Sequence, residues 1–112
     1  MANSLDVINE KVVRDGMVAV LVSPGFGAGW YTWNQQYPEL VFDPIIVDMV
    51  LNEVDYHEIE SYIDGKYGED VYTGGASDLV VKWVPVGARF RIEEYDGAES
   101  LKLESKEVWL VA

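Results

Sequence analysis

No cysteine occurs in the 112 residues. That excludes disulfides, thiolate metal sites and cysteine nucleophiles, and it agrees with a reducing compartment. Histidine is nearly as scarce. His57 is the single one, on an acidic stretch that reads as an exposed helix start. A metal site would therefore need a shell dominated by carboxylates, and no EF-hand spacing is present. Ser23, Ser61, Ser77, Ser100 and Ser105 all lack the nucleophile-elbow setting, which leaves triad chemistry without a motif. Glu93, Glu94 and Asp96 lie close enough to act as an acid–base pair, but among twenty acidic residues such closeness carries almost no information. No catalytic residue, no cofactor and no metal is expected, and an enzyme is the least supported reading.

Long apolar runs are also missing. Met17 to Val22 and Leu79 to Val81 are far shorter than the roughly 20 residues that span a bilayer. Residues 1–16 carry Asp6, Glu10 and Asp15 and no long apolar core, unlike a secretory signal. A soluble, cytoplasmic protein is expected. No internal repeat or linker interrupts the chain, and its length fits one domain over residues 1–112.

Basic residues are few: eight Lys and Arg against twenty Asp and Glu, a formal net charge of −12. Gripping a nucleic-acid backbone needs clustered cations, so direct nucleic-acid binding is not expected. The acidity serves solubility, or else it imitates nucleic acid in the groove of a basic partner.

Apolar residues make up 49% of the chain and aromatics 12%, with four tryptophans and seven tyrosines. That is ample for a core, and it leaves some rings for a binding surface. The pattern along the chain predicts α+β structure. Residues 1–16 admit two readings: a short helix capped by Ser4, or a hairpin turning at Arg14-Asp15-Gly16, which is preferred. Met17 to Ser23 is a strand, apolar on both faces and hence central in a sheet. A glycine-rich loop follows from Ser23 to Trp30, then Trp30 to Trp33 with strong β character, then an exposed loop over Asn34 to Pro38.

Asp43-Pro44 starts a helix, Asp as N-cap and Pro at the first helical position, with Ile45, Ile46, Met49 and Val50 as its buried stripe. Asp55 and Glu58 open a second helix with Ile59, Tyr62 and Ile63 inward, ending near Gly65 to Gly68. The pattern then changes to strands, with Val71-Tyr72 leading into a turn at Thr73 to Gly75. Strands over Asp78 to Val84, Arg89 to Tyr95, Ser100 to Glu104 and Glu107 to Val111 then make an antiparallel meander with a turn at Asp96-Gly97. In the third-last of these, Phe90 and Ile92 face one way and Arg89, Arg91 and Glu93 the other.

Three features carry the functional reading. Gly25, Gly27 and Gly29 allow backbone amides to approach a ligand and form an anion-binding nest, although their spacing is neither the phosphate loop nor the dinucleotide fingerprint. They equally suit a wide turn beside Trp30. Phe26, Trp30, Tyr31 and Trp33 offer rings for stacking on a base or sugar, or for the core. Arg89 and Arg91 share a strand face and would clamp a phosphate or carboxylate, or pair with acidic neighbours across the sheet. The candidate ligand-binding residues are thus Gly25, Phe26, Gly27, Gly29, Trp30, Tyr31, Trp33, Arg89 and Arg91.

The strings VAVLVSPGFGAGWYTWN (18–34), LVFDPIIVD (40–48), YTGG (72–75) and WVPVGARFRIEEYDG (83–97) cover much of the chain. In them it resembles a group of small proteins encoded by bacteriophages and prophages, for which no site residues carry over. The resemblance implies an accessory role in the host cytoplasm: an anti-defence protein that sequesters a nucleotide signal, a cyclic nucleotide among them, at the subunit interfaces of a homo-oligomer. Two other readings stand beside it. One is an acidic protein that inhibits a basic or nucleic-acid-binding host protein, with the helix from Asp55 to Glu60 as its contact. The other is a minor virion component.

Overall fold

Short β-branched runs separated by tight turns build the main sheet. The computed structural model describes residues 6–8 and 10–104. Strands β1 (Asp6–Ile8), β2 (Lys11–Arg14) and β3 (Met17–Val22) are antiparallel neighbours, and β4 (Val80–Pro85) pairs along the other edge of β3. Between Arg14 and Met17 the chain reverses through Asp15 and Gly16 at φ 52° and 76°, the paired positive dihedrals of a type I′ turn. The preferred N-terminal hairpin is therefore formed. Ser4, the cap of the alternative helix, and the expected strand Glu107 to Val111 lie outside the described residues.

β3 is interior and covered on both faces, as its two-sided apolar pattern predicts. Ala19 and Leu21 pack with Trp30, Leu40, Ile46, Val47, Ile59 and Ile63 toward the helices α1 (Pro44–Leu51) and α2 (Tyr56–Tyr67). Val20 and Val22 pack with Val41 and Val84 and meet Phe90, Ile92 and Leu101 of a separate hairpin, β5 (Phe90–Tyr95) and β6 (Ala98–Leu103). The result is an α+β architecture with helices on one side of a four-stranded sheet and a hairpin on the other. The C-terminal strands β4 to β6 keep the order of a meander, distributed over two sheets. Each fully buried aliphatic side chain of β3 contributes on the order of 1.5–3 kcal/mol. Among the described residues no helix is long and apolar enough to cross a membrane.

Both helices start where their caps predict. Asp43 accepts hydrogen bonds from the amides of Ile45 and Ile46, and Asp55 from that of His57. The buried stripe of α1 is shifted from the expected one: Ile45 is exposed and Ile46 and Val47 are buried. Two segments correct the strand assignments. Tyr31–Trp33 forms a 3-10 turn instead of a strand. Val71-Tyr72 is not a strand either, because a side chain takes the place of a strand partner. The Asn34 amide receives the Tyr72 N–H at 2.8 Å and donates to the Tyr72 and Trp30 carbonyls at 3.0 and 2.8 Å. For the same reason Asn34, expected in an exposed loop, is buried.

Asp43 also locks the two helices together. Its carboxylate, 3% exposed as a residue, accepts from the Tyr62 hydroxyl at 2.9 Å and the Lys66 ammonium at 3.2 Å, with the Tyr67 hydroxyl at 3.4 Å. Burial and the Asp43 charge push the Tyr67 phenol up to about 12, and burial raises that of Tyr62 as well. Burial pulls Lys66 down, but the Tyr62 hydroxyl and the Asp43 carboxylate outweigh it and hold the ammonium above its ordinary value. Each of these groups keeps its proton more tightly folded than unfolded. Their stabilisation is complete below the unfolded tyrosine value of roughly 10 and declines as pH rises toward 12. Urea titrations across this range should show falling stability, with a shallower fall in Tyr67→Phe. At neutral pH, Asp43→Ala should lose about 2–4 kcal/mol by removing a helix cap and stranding buried donors, whereas Asp43→Asn should lose less.

Candidate functional site

The glycine loop from Ser23 to Trp30 connects the end of β3 to the 3-10 turn, and one carboxylate from β6 organises it. Glu99 is 3% exposed. One of its oxygens accepts the Ser23 N–H at 2.9 Å. The other accepts the N–H groups of Trp30 and Thr32 at 2.8 and 2.9 Å and the Thr32 hydroxyl at 2.6 Å. The Glu99 amide returns a bond to the Ser23 carbonyl at 2.8 Å. A set of converging backbone amides is present, as glycine-rich chains allow, but the anion that fills it belongs to the protein. Bonds of this charge-assisted kind are about twice as strong as neutral ones.

A second contact fixes the loop tip. The Gly27 N–H donates to the Asp96 carbonyl at 2.7 Å, in the turn joining β5 to β6. That turn has Asp96 and Gly97 at φ 51° and 83°, a type I′ pair like the first. The Gly27–Ala28 backbone occupies the space where a Cβ on Gly97 would lie, so the two turns interlock main chain to main chain. At Gly25 the corresponding space is filled by the Asp78 carboxylate, and at Gly29 by Thr32 and Trp33.

These contacts redistribute the expected ligand residues. The glycine loop is built differently from the expected phosphate cradle: Glu99 takes the amides of Ser23, Trp30 and Thr32 that flank the glycines, the Asp96 carbonyl takes the Gly27 N–H, and the Asp78 carboxylate stands beside Gly25. Trp30 is 0% exposed and donates its indole N–H to the Leu40 carbonyl at 3.0 Å, so its ring is core and not a stacking platform. Arg89 pairs with Glu104 at 3.3 Å, across the hairpin, and lies away from the glycine loop. Arg91 pairs with Glu93 along its own strand at 2.8 Å. Among the described residues no group of three or more potential metal-ligating side chains occurs. His57 is exposed; its backbone N–H, and next its ring at 2.9 Å, bond to the Asp55 carboxyl and hold it below its usual range.

The remaining candidates fall into two depressions of opposite character. Tyr31 and Arg91 line a cleft of about 440 Å³ between the 3-10 turns and β5. Its other walls include Thr32, Gln35, Phe42, Phe90 and Ile92, and among the described residues none that lines it is acidic. Phe42 and Phe90 meet edge to face at 6.1 Å, and the Lys11 ammonium stands 4.5 Å over the Phe42 ring. Phe26, Gly27 and Trp33 line a recess with Glu94 and Asp96, and among the described residues no basic one lines it. The sequence reading missed Phe42 and Phe90 as site residues. The alternation of β5 placed Phe90 inward, and nothing local marked Phe42. Glu99 had no signal at all among twenty acidic residues.

No protein-family model, curated protein or solved structure matches this chain. Glu99→Ala should cost about 3–5 kcal/mol in chemical denaturation, since it leaves buried amides of Ser23, Trp30 and Thr32 unpaired. Thr32→Val, which removes only the hydroxyl donor, should cost about 1–2 kcal/mol.

Proposed function

We propose that the chain is a non-enzymatic binding module for a small planar anion, with a nucleotide as the class that fits. One observation carries this reading: in a chain of net charge −12, a cleft of about 440 Å³ is walled by Tyr31, Phe42 and Phe90, has Arg91 at its lining and, among the described residues, no acidic one there. Its volume falls in the usual range of small-ligand sites, roughly 300–1,000 Å³. The rings supply faces or edges for a base, and stacking of this kind contributes about 1–3 kcal/mol per base. Arg91 is exposed and, among the described residues, paired only with Glu93 along its own strand, so a phosphate replaces Glu93 at little cost. Lys11 adds positive potential through its position over Phe42.

The site is thus built from Tyr31 and Arg91 of the original candidates, with Phe42, Phe90 and Lys11 added. The resemblance to phage-encoded proteins supports sequestration of a nucleotide immune signal in the host cytoplasm as the biological role. In a homo-oligomer, a neighbouring subunit across the cleft would enclose the ligand.

A panel of cyclic and linear nucleotides tests the proposal by thermal shift and native mass spectrometry. A bound nucleotide at a hundredfold its Kd should add about 2.7 kcal/mol, a Tm rise on the order of 10 °C, and a mass gain per site. Arg91→Glu should abolish the rise and leave the Tm of the free protein unchanged. A panel that produces neither shift nor mass gain would overturn the assignment.

A further inference from the structure

The recess on the other side of the loop turn is built for the opposite charge. Phe26 stands at the loop tip with 75% of its surface exposed, and Trp33 is 41% exposed. Nothing in the packing requires a large ring at position 26, since a polar residue there would avoid leaving apolar surface in water. The display is rigid nonetheless. Gly27 is bonded to Asp96, Gly97 packs on Ala28 without room for a side chain, and the Trp33 ring leans on that of Tyr72 at 5.3 Å. An aromatic pair is therefore held outward at the cost of its own burial.

The charge of the recess selects its occupant. Among the described residues, Glu94 and Asp96 are the only charged ones lining its approximately 520 Å³. Glu94 uses one oxygen to accept the Gly97 N–H at 2.7 Å, and among the described residues the Asp96 carboxylate has no hydrogen-bond partner. Two carboxylates beside two aromatic rings suit a cation that both stacks and forms paired hydrogen bonds. A guanidinium does both, being planar, weakly hydrated and matched to carboxylate geometry, while an ammonium is a compact, strongly hydrated point charge. We infer that this recess is a docking site for an arginine side chain carried on a basic segment of a partner protein. The surface is separate from the nucleotide cleft and from the acidic helix α2, so the inference does not rest on the ligand proposed above.

Titration of the whole protein with a hexa-arginine peptide at physiological salt tests it by calorimetry. Wild type should bind, and hexa-lysine should bind several-fold more weakly. Phe26→Ser should weaken hexa-arginine binding about tenfold, as should the double change Glu94→Gln with Asp96→Asn. Both latter substitutions keep a hydrogen-bond acceptor, and asparagine tolerates the positive φ at position 96. A control, Glu58→Gln with Asp64→Asn, removes the same two charges from α2 and should change binding less than twofold. Absence of binding, equal affinity for the two peptides, an ineffective Phe26→Ser, or a loss as large in the control would each overturn the inference. The nucleotide panel reads the other cleft, so failure of one proposal leaves the other standing.

Discussion

The Glu99 carboxylate is the contact on which the rest of this structure depends. It reaches from β6 into the loop after β3 and satisfies the amides of Ser23, Trp30 and Thr32 together with the Thr32 hydroxyl. A buried amide without a partner costs about as much as a lost hydrogen bond, so an irregular loop survives inside the fold only if something supplies acceptors. Here one side chain supplies them, and in doing so it ties the small hairpin to the main sheet. The loop is then able to turn beneath the hairpin and place Trp30 in the core with its indole N–H paired to Leu40. Asn34 performs the same service for Tyr72, acting as a strand neighbour made from a single amide.

Because the loop is held this way, charge is sorted on either side of it. The cleft next to β5 holds Arg91 among aromatic walls, while the recess at the loop tip holds Glu94 and Asp96 beside Phe26 and Trp33. A strongly acidic protein would otherwise repel small anions from its whole surface. A cleft lined without carboxylates lowers that repulsion locally, where low-dielectric walls make the difference count most. The opposite recess uses the prevailing charge. The recess is shaped by the interlocked turns, Gly27 on Asp96 and Gly97 on Ala28, so main-chain contacts set its position at the loop tip.

Much of the framework was legible in the residues. β3 announced itself as an interior strand through two-sided apolar character, Asp15-Gly16 and Asp96-Gly97 as hairpin turns, and Asp43-Pro44 and Asp55 as helix starts. Each of these is a local rule, resting on dihedral preference or on a cap within a few residues. The errors share a different cause. Trp30 to Trp33 has β-forming side chains, yet its amides point to a carboxylate from a strand almost seventy residues away. Val71-Tyr72 met a side-chain amide where a strand would have continued. Ile45 fell outside the buried stripe because the hydrophobic spacing of so short a helix leaves its phase to the elements it packs on.

The sequence by itself determined the class of fold, the positions of the tight turns, the helix caps and the scarcity of groups for metal or nucleophilic chemistry, because these follow from composition and from interactions spanning only a few residues. It also marked the loop from Gly25 to Trp33 as unusual. Only the tertiary structure decided what that loop does. That Glu99 among twenty acidic residues is buried at this loop depends on how β6 lies against β3, and it places an internal carboxylate on the amides that flank the glycines. Exposure was decided in the same way: Phe26 is presented, Trp30 is enclosed, and Arg91 rather than Arg89 meets an aromatic cleft, since long-range packing and not residue type sets which face of each element reaches water.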